Sequence, residues 1–70
     1  RLHRVEKWAL ARRMEEVQTP WGKVPVKVVS LDGEVLRVIP EHDIVQGLAE
    51  TAGVAVSVVH GATLRVFHED

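Results

Sequence analysis

Three features of this 70-residue sequence predict an α+β domain, a three-stranded antiparallel sheet in β-β-β-α-α order with two helices packed on one face. Its first half alternates apolar and polar residues with the period of a strand. Two turn signals, TPWG and LDG, divide that half into strand-length pieces. Beyond Pro40 the apolar period changes to that of a helix.

The opening segment, Leu2 to Thr19, has two readings. VEKWALARRMEEV is rich in helix formers, whereas a strand would place Trp8, Leu10 and Met14 on one face with Arg12 interrupting. The turn that follows favours a strand for residues 12–19. In TPWGK, Thr19–Lys23, Pro20 fixes φ and Gly22 is free to take a positive φ. KVPVKVV then sets Val24, Val26 and Val28 on one face and Lys23, Pro25 and Lys27 on the other, and Pro25 suggests an edge or a bulge. Asp32–Gly33 supplies a hairpin turn, and EVLRVIP returns as a third strand ending at Pro40. Ile44, Val45, Leu48 and Ala52 follow at helical spacing, with Gly53 as the C′ residue. Ser57 is a candidate cap for a last helix carrying Val58, Val59, Ala62, Val66 and Phe67.

One small domain is all this length allows, burying only about 60% of the surface its unfolded chain exposes. Two Trp, one Phe and no Tyr leave the core to Val, Leu, Ile and Ala. Without cysteine there is neither a disulfide framework nor a thiolate metal site to reinforce it. The expected remedy is self-association or attachment to a longer parent chain, and a start at Arg1 rather than Met suits a fragment. No run approaches the ~18 apolar residues of a membrane span and no signal peptide is recognisable, so a cytoplasmic protein without membrane partners is expected. Charge is uneven: residues 1–27 hold seven basic groups against three acids, net +4, and residues 28–70 two against seven, net −5. One half therefore suits phosphates and the other cations, although differently charged sheet and helix surfaces need no ligand. A nucleic-acid partner is not expected, there being no Gly-rich basic arm and few aromatics.

The most concentrated polar cluster is Glu41, His42 and Asp43, where the third strand hands over to a helix. Acids in a first helical turn meet the positive end of the macrodipole, which explains them without any ligand. Alternatively, two closely spaced oxygen ligands hold a divalent ion that carries a phosphate group. Within a regular helix Glu41 and Asp43 would lie roughly 200° apart, so all three side chains cannot share one ion. His3, His42, His60 and His68 include no i, i+4 pair. Lys27, with Lys23 beside it, is either a solvated lysine of an open sheet face or a point-charge partner for phosphoryl oxygens. Trp8 and Trp21 suit a core or interface better than base stacking. No nucleophile–base constellation, P-loop or dinucleotide fingerprint is present.

Three segments, RVEKWALARRM (Arg4–Met14), VQTPWGKVPVKV (Val17–Val28) and IPEHDIVQGLAETAGV (Ile39–Val54), together resemble the C-terminal region of the LarC family. These are nickel insertion proteins that complete the nickel-pincer nucleotide cofactor of lactate racemase. The family pattern V-x-T-P-aromatic-G-x-V-x-V-K-V is met at Val17, Thr19, Pro20, Trp21, Gly22, Val24, Val26, Lys27 and Val28. Its P-E-Y-E-D-C-x-x-L-A box is met at Pro40, Glu41, Leu48 and Ala49, with His42, Asp43, Ile44 and Val45 replacing Y-E-D-C. The resemblance implies CTP with Mn²⁺ or Mg²⁺ as cofactors and nickel as the inserted metal, in a lyase-type cyclometallation forming carbon–nickel and nickel–sulfur bonds. It implies Thr19 and Lys27 as nucleotide-binding residues, with Lys27 on the triphosphate, and Glu41 and Asp43 on the ion. Catalysis by this domain alone is not expected. The competing reading is a structural or oligomerisation module of the same fold with no nucleotide site; a small basic-faced nucleic-acid binder ranks third.

Overall fold

The computed structural model describes residues 10–69. Trp8, His3 and the rest of residues 1–9 lie outside it, as does Asp70. The elements are β1 (Ala11–Thr19), β2 (Gly22–Leu31), β3 (Glu34–Pro40), α1 (His42–Ala52) and α2 (Val56–Glu69). This is the predicted β-β-β-α-α order, with an antiparallel sheet in the spatial order β1-β2-β3. The strand alternative for the opening segment holds from Ala11 onward.

Both hairpin turns carry their register. Thr19 pairs with Gly22 across Pro20–Trp21, which places Val17 opposite Val24 and Glu16 opposite Pro25. The Thr19 hydroxyl donates to the Gly22 carbonyl at 2.6 Å and accepts from the Trp21 N–H at 3.2 Å. Gly22 has a φ of 142°, which requires glycine for the backbone, and a Cβ there would also stand 3.3 Å from Leu48 Cδ2, a tight contact that a small shift of the leucine relieves. Asp32 (φ 54°) and Gly33 (φ 82°) form the two-residue turn between Leu31 and Glu34.

Pro25 departs from expectation. It sits in the central strand, neither on an edge nor at a bulge. Its carbonyl accepts the Glu41 N–H at 2.9 Å, on the β3 side. In an extended strand a residue's N–H and C=O project to the same side, so the donor that proline lacks falls where β3 has already ended at Pro40. The bulge lies at the sheet's other end: Val29 pairs with Arg37 and Ser30 with Val35, leaving Leu36 between them unpaired.

The core is aliphatic. Val17, Val24, Val26 and Val28 from one sheet face pack with Val45 and Ala49 of α1 and Val59 of α2, with Trp21, Val38, Leu48, Val54, Val66 and Phe67 around them. The buried stripe of α1 is therefore Val45–Leu48–Ala49. Ile44, placed by spacing on that stripe, is 39% exposed, and Ala52 is exposed as well. In α2 Val58 faces outward at 47% exposure, while Thr63, which the apolar pattern passed over, is fully buried. Its hydroxyl donates to the Val59 carbonyl at 2.8 Å, which removes the penalty of burying it. Ser57 is the second residue of α2 and does not cap it; the first turn closes from the Val58 N–H to the Ala55 carbonyl at 3.0 Å. Gly53 ends α1 at φ 72°, with its own N–H on Glu50 and that of Val54 on Ala49, a Schellman termination. No single helix among the described residues is long and apolar enough to cross a membrane; only α1 and α2 together, bent by 118°, reach that length and composition.

Candidate functional site

Both helices cover one face, and among the described residues the other face of the sheet is left open; the register places its side chains. Gln18 stands beside Lys23, Glu16 beside Pro25, and Met14 beside Lys27, which pairs on its other side with Ile39. Val29 follows between Arg12 and Arg37. This face therefore carries Arg12, Lys23, Lys27 and Arg37 against Glu16 and Glu34. Among the described residues, the excess positive charge of the first half of the chain lies on this surface. Among the described residues the one ion pair is Arg13 with Glu15, on the opposite face of β1. The four open-face cations have no carboxylate partner among those residues.

The handover from β3 to α1 brings the acidic cluster to the margin of this surface. Pro40 pairs with Val26 and the Glu41 N–H bonds Pro25, so the Glu41 backbone sits two residues along β2 from Lys27. Glu41 is the N-cap residue at φ −69°, ψ 115°, outside the helix proper, and its side chain makes no capping bond. The helical-wheel separation expected between Glu41 and Asp43 therefore does not constrain them. Asp43 follows in the first turn, and Glu41, His42 and Asp43 are all exposed. The first helical bond is from Val45 N–H to the Glu41 carbonyl at 3.0 Å, so the N–H groups before it remain open to an anion.

The four site residues expected from sequence do not converge. Lys27, Glu41 and Asp43 belong to one neighbourhood. Thr19 does not: it lies on the helix-covered face, is 3% exposed, and spends its hydroxyl on the turn. Along β2 its partner Gly22 is five residues from Lys27, about 17 Å of strand. The structure adds Glu16, which faces Pro25 from the other side and completes an arrangement of Lys23, Lys27, Glu16 and Glu41 around that proline. Counting back from the TPWG turn gives the Glu16–Pro25 pairing, so the signal was in the sequence once the hairpin was fixed.

No three His, Cys, Asp or Glu side chains among the described residues meet around one ion-sized point. That excludes an all-protein cage there, but it suits a Mg²⁺- or Mn²⁺-nucleotide, whose ion draws most ligands from phosphate and water and needs one or two carboxylates. Glu41 and Asp43 are the pair available for it.

Residues 1–60 match the sequence profile of the family described as nickel insertion protein. A Myxococcus xanthus protein named for nickel insertion is 48% identical over 64 residues, covering 91% of this chain and 16% of its own length. The pyridinium-3,5-bisthiocarboxylic acid mononucleotide nickel insertion protein of Thermotoga petrophila is 33% identical over 69 residues, 99% of this chain and 17% of its own. Its counterpart in Thermotoga sp. strain RQ2 is 30% identical over 64 residues, 91% of this chain and 16% of its own. The chain thus spans about a sixth of the length of these relatives. No solved structure matches it. With the profile extending across most of its residues, the chain belongs to the nickel insertion protein family.

Proposed function

We propose that this chain is the nucleotide- and divalent-ion-binding part of a longer cytoplasmic nickel insertion protein, one that uses CTP with Mn²⁺ or Mg²⁺ while nickel is inserted into a pincer nucleotide. The observation that carries this reading is the proximity of Lys27 to the α1 N-terminus through the Glu41–Pro25 bond. A cation, open helical N–H groups and two carboxylates then occupy one margin of the sheet. Phosphoryl oxygens suit the first two and their counter-ion suits the carboxylates. Lys27 takes the phosphates, with Lys23 next to it, and Glu41 and Asp43 take the ion. Thr19 serves the site from a distance by shaping the turn that sets the strand register.

A second reading, a structural module of the same fold without a nucleotide site, is favoured by Ile44 and Val45 standing where the family box carries an acid and a cysteine. Paramagnetic broadening separates the two. On adding CTP and substoichiometric Mn²⁺, amide signals of Glu41, His42, Asp43 and Lys27 should broaden first. Uniform broadening, or none at millimolar CTP, selects the structural module.

A further inference from the structure

The two edges of the sheet differ. The β3 edge is interrupted by the bulge at Leu36 and ends in Pro40, both devices that discourage further pairing. The β1 edge is nine regular residues with neither glycine nor proline. Among the described residues no strand pairs with this edge, and its outward backbone groups can be assigned. The Pro25 carbonyl is engaged by Glu41 on the β3 side, so Glu16 and Pro25 form a non-hydrogen-bonded pair and Glu16 aims its N–H and C=O away from β2. Every second residue does the same: Arg12, Met14 and Gln18.

The side chains on this edge have a symmetry of their own. Arg12-Arg13-Met14-Glu15-Glu16 is charge-antisymmetric about Met14. We propose that β1 is a self-complementary edge that pairs antiparallel with β1 of a second copy of this chain, the two-fold axis passing between the two Met14 residues. In that register residue i faces residue 28 − i. Met14 meets Met14 with outward backbone groups on both, Arg12 meets Glu16, and Arg13 meets Glu15. The first charged pairing lies on the open face and the second on the helix-covered face, where the intrachain Arg13–Glu15 pair becomes part of a four-membered network. A register slipped by one residue brings Arg13 against Glu16 but leaves Arg12 against Val17, so the charges select one alignment.

The cleft beside β1 agrees with this. A cavity of about 480 Å³ is lined by Glu15, Glu16, Val17, Gln18, Val66 and Phe67. The same register sets Ala11 and Leu10 of the second copy opposite Val17 and Gln18, and Leu10 is 42% exposed in the single chain. Ala11 thus arrives on the helix-covered face, where the cleft exposes Val66 and Phe67, while Leu10 lies over Gln18 on the open face. The product is a continuous six-stranded sheet with all four helices on one face, extending a core that is small for one chain. It stands whether or not the chain binds a nucleotide.

The test is sedimentation equilibrium of the 70-residue chain and three charge variants, with circular dichroism verifying that each is folded. Arg12→Glu/Arg13→Glu makes the edge all acidic, and Glu15→Arg/Glu16→Arg makes it all basic. Each alone should weaken the dimer at least about tenfold. Their equimolar mixture should restore a dimer containing one of each, and the fourfold exchange should restore a homodimer. A wild-type chain that is monomeric at high micromolar concentration overturns the proposal. So does an oligomer indifferent to both reversals, or folded variants whose mixture stays monomeric.

Discussion

The Glu41 N–H donates to the Pro25 carbonyl at 2.9 Å, and this bond joins the end of the sheet to the start of α1. It places the family's P-E box beside the strand that carries Lys27. Glu41 contributes to the bond only through its backbone. Glu41→Ala should therefore keep the fold and its unfolding midpoint while removing a carboxylate from the proposed ion site. Lys27→Ala, on an exposed position, should behave alike. Thermal melts of both variants against wild type measure this directly.

Thr19 should separate from that pair. Thr19 is buried and its hydroxyl makes two bonds within a half-buried turn, so Thr19→Ala should cost about 1–2 kcal/mol in urea unfolding. Thr19→Ser retains the hydroxyl and should recover most of the loss. A Thr19→Ala chain as stable as wild type would show that the hydroxyl is not holding the turn.

Gly22→Ala forces a side chain onto a φ of 142° and against Leu48, and should cost about 1–2 kcal/mol. Most of that cost is backbone strain, because the Leu48 methyl can yield by a few tenths of an ångström. Shortening the neighbour as well, in Gly22→Ala/Leu48→Ala, should not rescue the chain.

Val26 is fully buried between the helices and the centre of the sheet. Val26→Ala should cost about 2 kcal/mol, transfer and cavity terms together, a large share of the stability of so small a domain. Val58→Ala, at a position facing away from the core, should cost much less, which urea titration of the two variants compares.

How far the sequence could be read depended on what fixed each element. Strands, turns and their order were legible because TPWG and Asp32–Gly33 specify tight turns and the valines alternate without a break. The edge assignment of Pro25 went astray because proline was judged by its missing donor alone. Only the length of β3, which stops at Pro40, reveals that no acceptor awaits there. The helix faces slipped for a related reason. Ile44 and Val58 are apolar and correctly spaced, but the sheet is three strands wide and buries just Val45, Ala49, Val59, Ala62 and Thr63 of the helices. Of the site, Lys27 and Glu41 were placed by motif; their proximity needed the hairpin register and a backbone hydrogen bond that no residue pattern announces.

The most direct test of the proposed function is isothermal titration of the chain with CTP, with and without Mn²⁺, repeated on Lys27→Ala and Glu41→Ala. The account predicts binding that requires Mn²⁺ and weakens at least about tenfold in each variant, the scale of a lost charge-assisted contact. A folded wild-type chain that takes up no CTP at millimolar concentration, or binds it equally well without Lys27 and Glu41, would contradict it.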